Sequence, residues 1–294
     1  MTSTDHPIRF PINFVRNSVD FNYQMLTSQG AGDILREYIA EGRLPLSPDF
    51  KITTALWQPD ASAKIFKVEL NAKDAKAQRV PRTILMRVFA PLDAFVRTEA
   101  EVGILTYMNE KTALPVPKVY WFDSSTRNSR RLTWVLTSAD PGVPLDALMN
   151  NDGARVIEWA AGRGNHPLTP EEKKFIRRQL ENHREQLRQS EFEGVGSYFI
   201  DWYANEFFIA PLPRFTTSCN QIVPQDIDLF DESLSLDAQG DGEKRSRIMH
   251  GDLHAGQVMI DPCTLRITCY QGWSTAIIAP PAMLPGAPVL EEEI

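Results

Sequence analysis

The chain has 294 residues, 43% of them hydrophobic and 23% charged, with a formal charge of −7 and a pI near 5.4. That is the composition of a globular protein with one large domain or two lobes, and the acidic balance argues against diffuse binding to nucleic acid or anionic membranes. Three cysteines (Cys219, Cys263, Cys269) without a CxxC pair imply no disulfide framework. No apolar run approaches a signal peptide or a spanning helix, so the expected setting is reduced and cytoplasmic.

The first 50 residues mix short apolar runs with prolines. "AGDILREYIAEG" (31–42) places Ile34, Leu35, Tyr38 and Ile39 at helical spacing, and Gly42 can end the helix. "FKITTALW" (50–57) and "AKIFKVEL" (63–70) alternate and are rich in β-branched and aromatic residues, which predicts paired strands. "RTILMRVFA" (82–90) predicts a third, more buried strand. "VRTEAEVGILTYMNEKT" (96–112) predicts a helix with Val102, Leu105 and Met108 on one side. The prolines of "LPVPKVYWF" (114–122) hold it extended. "RLTWVLTSA" (131–139) is a further strand, and "DPGVPL" turns the chain out of it.

From about residue 145 the pattern turns helical. "LTPEEKKFIRRQLENHREQLRQS" (168–190) carries a capping box of Thr169 and Glu172 with Pro170 at the first helical position. Ile176, Leu180, His183 and Leu187 share a face, where His183 reads as a packed or partly exposed residue. Residues 224–246, acidic and turn-prone, read as a long surface loop. "RIMHGDLHAGQVMID" (247–261) then runs from a short apolar entry through a polar loop into the strand "QVMI", and "LRITCY" can pair back across the turn "DPCT".

That loop, "HGDLHAGQVMIDPCTLRIT", resembles the HGDxHxxN catalytic loop of the aminoglycoside phosphotransferase and choline kinase family. Other segments resemble the family in the same order. "RTILMRVFA" resembles the strand with the phosphate-contacting basic residue, which puts Arg87 there. "EAEVGILTYM" resembles the helix whose glutamate pairs with it, here Glu101. "LPVPKVYWF" and "WVLTSADPGVPL" resemble the next strand and the interlobe linker, and "FEGVGSYF" (192–199) a helical-lobe segment of a branch common in fungi.

The resemblance covers roughly residues 50 to 285. It implies an α+β, two-lobed protein-kinase-like fold. A sheet-rich lobe with a preceding helical segment would span 1–140. A mostly helical, reduced C-terminal lobe carrying the loop hairpin would span 141–294, with the ligand cleft between them. In that family the loop aspartate, here Asp252, accepts or orients the proton of the substrate hydroxyl, while the loop asparagine and a later aspartate hold Mg²⁺. The first histidine of such loops, here His250, packs and hydrogen-bonds the hairpin, whereas His254 is less constrained.

The chain departs from this pattern at the metal. Trp273 aligns on the family's tryptophan, which puts Gly272 where the metal-binding aspartate belongs, and Gln257 replaces the loop asparagine. No glycine occurs from Arg43 to Val102, so the nucleotide-covering loop lacks the residues that bring backbone N–H groups to phosphates. Ser138 and Ala139 stand where many relatives have an acidic linker residue. The 200–249 region is short, and the chain stops at "LEEEI" soon after the hairpin, so the acceptor-side helices look reduced.

The first reading is therefore a repurposed enzyme acting without ATP or metal, in which Asp252, His254 and His250 carry acid–base chemistry on a small organic molecule. Condensation, cyclisation or isomerisation would fit, and the family's distribution suggests secondary metabolism. Arg87 would bind a carboxylate or enolate, with Glu101, Gln257, Tyr270 and Trp273 lining the substrate site. The alternatives are a divergent ATP- and Mg²⁺-dependent small-molecule phosphotransferase, with Asp261, Asp252 or a glutamate as the substitute ligand, and a non-catalytic kinase-like binding protein. A metal site on His250, Asp252 and His254, spaced i, i+2 and i+4, is a further arrangement the spacing permits. The expected partner is a small molecule, not nucleic acid or membrane, and a homodimer would complete the reduced lobe.

Overall fold

The computed structural model describes residues 22–55, 63–91, 94–139, 142–149, 168–194, 196–201, 206–210, 245–250 and 253–279. They divide into two compact units. The first is Met1–Phe95 with Trp121–Leu136, and the second is Val96–Tyr120 with Thr137–Ile294.

In the first unit, helix α1 (Ser28–Ala40) is capped by the Thr27 side chain and buries Ile34, Leu35 and Tyr38. Gly42, at φ +69°, follows it. Strands β1 (Phe50–Thr54) and β2 (Ala63–Leu70) pair antiparallel with Phe50 opposite Leu70, as their alternation predicts. Strand β3 (Thr83–Phe89) is nearly continuously buried because it lies inside the sheet. With β4 (Val119–Asp123) and β5 (Trp134–Ser138) it completes a five-stranded sheet of order β1-β2-β3-β5-β4.

A short helix α2 (Ala72–Gln78) interrupts the β2–β3 connection and has no counterpart in the sequence reading. Its N-cap, Asn71, accepts from the Asp74 N–H, and its C-cap, Arg79, is left-handed. Seven residues with one buried side chain give too short an apolar pattern to detect. Tyr38 is the keystone of this unit. Its ring meets Trp134 edge-on at 5.1 Å, its hydroxyl donates to the buried Asp123, and the Arg43 guanidinium lies 4.3 Å from its ring centroid. Burial, reinforced by Asp123, raises the Tyr38 pKa to about 12, so the phenol stays a donor.

The second unit begins with helix α3 (Ala94–Lys111), whose Val102, Leu105 and Met108 are all fully buried. After β6 (Val143–Pro144) and a five-residue helix α4 (Leu145–Met149) comes α5 (Pro170–Gln189). The predicted capping box is present on α5, with the Thr169 hydroxyl accepting from the Glu172 N–H and the Glu172 carboxylate accepting from the Thr169 N–H. Thr169→Ala removes the hydroxyl half of this exchange, leaving the backbone N–H of residue 169 to Glu172, and should cost about 1 kcal/mol in chemical denaturation, with no change in the slope.

The segment "FEGVGSYF" leads into strand β7 (Ser197–Asp201), which forms a hairpin with β8 (Glu206–Ala210). Tyr107 of α3 packs edge-on against Tyr198 of this hairpin at 4.9 Å. Strand β9 (Arg247–Met249) pairs with β12 (Ile277–Ala279), and β10 (Val258–Ile260) pairs with β11 (Ile267–Tyr270) and with β6. The predicted acidic loop lies outside the described residues except at Arg245 and Ser246. Cys263 and Cys269 are free thiols, and no described helix is long and apolar enough to cross a membrane.

Candidate functional site

The β10–β11 hairpin is the scaffold of the site, and helix α5 holds it in place. The Gln179 side chain donates to the Leu265 carbonyl at 2.8 Å and accepts from the Ile267 N–H at 3.1 Å, clamping the turn end of the hairpin. One helical turn on, His183 Nδ1 lies 2.8 Å from the Tyr270 hydroxyl. Burial lowers the His183 pKa and pushes that of Tyr270 up, so the two meet as neutral partners. Asp261 begins the turn, its carboxylate accepting from the Cys263 and Thr264 N–H groups at 2.8 and 3.2 Å, which lowers its pKa. A carboxylate so engaged is a turn residue.

The polar loop before β10 has its own supports. His250 is 6% exposed, its Nε2 lies against the Gln271 carbonyl, and its ring packs 4.6 Å from that of Trp273. A carbonyl only accepts, so this nitrogen carries the proton and His250 staples the loop to the segment after β11. Trp273, in the short 3₁₀ turn Trp273–Thr275, donates its indole N–H to the Tyr270 carbonyl at 2.7 Å. Both Trp273 and Tyr270 belong to the unit's hydrophobic core. His254, by contrast, is exposed and caps the 3₁₀ turn Ala255–Gln257, its Nδ1 accepting from the Gly256 N–H at 3.1 Å. Gly251 and Asp252 lie outside the described residues. The two described members of the alternating triplet thus sit in different environments, one in the core and one exposed.

Arg87 is 3% exposed on β3, opposite Ile65 and with its guanidinium 5.6 Å from the Phe89 ring centroid. Glu101 is fully buried on α3 in the second unit. A charged side chain is buried to this extent only when its polar atoms are engaged.

Whether the residues fit a metal is decided at position 272. Gly272 is buried with φ +80°, in the left-handed region. A Cβ built there would lie 2.6, 2.7 and 2.8 Å from Oε1, Cδ and Nε2 of Gln257. Gln257 is 1% exposed, and its backbone carbonyl accepts from the Gln271 N–H at 2.9 Å. The longer amide thus occupies the room in which a side chain at 272 would start. Gly272 offers no side-chain oxygen, so the position that the resemblance assigns to a Mg²⁺ ligand does not fit one. Among the described residues, no group of three His, Cys, Asp or Glu side chains could hold a metal ion.

One carboxylate that the sequence reading passed over also belongs here. Gly142, after the sheet-rich unit, lets the backbone approach the hairpin so closely that a Cβ on it would lie 2.7 Å from Thr268 Oγ1. Val143 and Pro144 then pair with Ile260 and Met259. This pairing delivers Asp146, on α4, to Gly256 and His254. Nothing in "DPGVPLDALM" marks that aspartate, because its position depends on a strand pairing more than a hundred residues away in sequence.

A mixed sheet and helix scaffold, with a short β-hairpin directly after the HGD sequence, defines a kinase-like protein of the α+β class. Residues 67–282 match the family described as "Phosphotransferase enzyme family", and the chain belongs to that family. None of the curated proteins compared matches it. Among solved structures it is similar to an aminoglycoside-3′-phosphotransferase of type VIII, at 17% identity over 84% of this chain and 78% of that one, with a TM-score of 0.37. It is also similar to a macrolide 2′-phosphotransferase of type I (14% identity, 88% and 75% covered, TM-score 0.36). A third is the macrolide 2′-phosphotransferase apoenzyme of Brachybacterium faecium (13%, 89% and 80%, TM-score 0.36).

Proposed function

We propose that this member of the phosphotransferase family acts on a small organic molecule by acid–base chemistry, without a metal-bound nucleotide. The observation that carries the reading is the Gln257 amide lying where the side chain of a metal ligand at 272 would begin. Asp252, by its place in the loop, is the base, and His254, two residues on in the chain, is an exposed polar group. A positioned base of this kind accelerates proton transfer by roughly 10²- to 10⁴-fold, and the family's own chemistry uses the same carboxylate toward a hydroxyl proton. Abstraction of a proton next to a carbonyl, followed by cyclisation, condensation or isomerisation, needs no other cofactor.

The second reading, an ATP-dependent small-molecule phosphotransferase, is favoured by the family match across residues 67–282. Thermal denaturation with and without ATP and Mg²⁺ separates the two. A nucleotide whose Kd is one-hundredth of its free concentration stabilises a protein by about 2.7 kcal/mol. We expect no such rise in melting temperature, and a Mg²⁺-dependent rise of several degrees with ATP overturns the first reading. Asp252→Asn should abolish biological activity while leaving the melting temperature within a degree or two. Full activity in that variant would make the protein a binder.

A further inference from the structure

Three observations converge on Gly256. The Gly256 N–H donates to His254 Nδ1, so that nitrogen is the acceptor, and the neutral ring must carry its proton on Nε2. Among the described residues His254 Nε2 has no partner. On the other side, the Asp146 side chain reaches the same place. A Cβ built on Gly256 would lie 2.9 Å from His254 Cε1, 3.1 Å from His254 Nδ1 and 3.2 Å from Asp146 Oδ2. The imidazole and the carboxylate are therefore separated by little more than the width of the side chain that glycine lacks. Third, Asp146 Oδ1 is buried and, among the described residues, receives no hydrogen bond. A ligand donor can reach only the other oxygen, Oδ2, the one beside Gly256, and a carboxylate whose first oxygen goes unanswered gains from a bond at its second.

We propose that Asp146 and His254 form a donor–acceptor pair that recognises a hydroxyl group of the ligand. The pair offers one neutral N–H donor and one anionic acceptor. A hydroxyl answers both through a single oxygen, accepting from His254 Nε2–H and donating to Asp146. A carboxylate ligand would answer the donor but meet the Asp146 charge, and an ammonium would answer only the acceptor. This rests on reading the loop hairpin as a ligand site, but it requires neither metal nor nucleotide, so it stands or falls apart from the ATP experiment.

The test uses the full chain labelled with ¹⁵N-histidine, with the His254 signals assigned by their loss in His254→Gln. Long-range ¹H–¹⁵N correlation at a pH where imidazoles are neutral should show His254 protonated on Nε2. Protonation on Nδ1 overturns the proposal. Titration with myo-inositol and catechol should then shift the His254 ring signals saturably, while succinate should not. Asp146→Asn keeps the shape and removes the charge. It should weaken whichever polyol or diol response is seen by at least tenfold, with the melting temperature unchanged to within a degree or two. Absence of any response to both hydroxyl probes, a response to succinate alone, or equal affinity in Asp146→Asn each overturns it.

Discussion

Gly272→Asp, the substitution that writes the family's metal ligand back into the sequence, should destabilise the protein by 3 kcal/mol or more and restore no metal binding, on the scale for an unpaired buried charge. Three costs add. The backbone at 272 is left-handed (φ +80°), which costs a non-glycine residue of order 1 kcal/mol, with aspartate among the more tolerant. The new Cβ would overlap the Gln257 amide, which is the movable end of its side chain but is buried and must find other room. The carboxylate would then stand in a buried position and lose its hydration.

The double variant Gln257→Asn/Gly272→Asp removes the second cost. Its stability should exceed that of Gly272→Asp alone, so the two changes are non-additive. Urea denaturation of the four proteins measures this coupling, and Mn²⁺ binding followed by electron paramagnetic resonance should appear only in the double variant. Additive stabilities, or Mn²⁺ binding by Gly272→Asp alone, would show that Gln257 does not fill the site.

The second large effect is expected at Gly103, in the middle of α3. A Cβ there would lie 2.3 Å from the Tyr198 carbonyl oxygen and 3.1 Å from the Phe199 Cα, both backbone atoms of strand β7. Alanine is worth about 1 kcal/mol over glycine in a helix interior. Here the helix must instead move off the hairpin, breaking the ring contacts of Tyr107 with Phe192, Tyr198 and Phe207. Overpacking against a strand backbone outweighs the propensity, and Gly103→Ala should cost about 3 kcal/mol, which is roughly 6–12 °C in melting temperature. Gly30→Ala in α1 is the control, because its new methyl would meet only the Leu26 and Arg130 side chains, at 3.2 and 3.4 Å. That variant should be near neutral. Equal effects at the two sites would mean that α3 does not approach the hairpin as described.

Much of the scaffold is legible in the sequence because its signals are local. The alternation of β1 and β2, the capping box of α5 and the turn "DPCT" each lie within a few residues of the structure they specify. The site is less so. That Gly272 offers no ligand can be read from one letter, but that Gln257 occupies its space depends on the hairpin closing between them. The roles of the two loop histidines diverge for the same reason. His250 is drawn into the core by Trp273, and His254 is turned outward to cap its own turn, differences that the spacing i, i+4 does not contain. Asp146 is silent in the sequence because only the pairing of β6 with β10 delivers it. The α3–β7 approach is likewise hidden, since a glycine inside a helical pattern announces nothing about what touches it.

The staple of His250 on Trp273 and the Gln271 carbonyl has an evolutionary corollary. It anchors the start of the loop from within, through side chains buried in the core, so that anchor does not depend on what the loop is used for. A lineage can then exchange the side chains that meet the ligand, one reaction for another, without having to invent a new backbone.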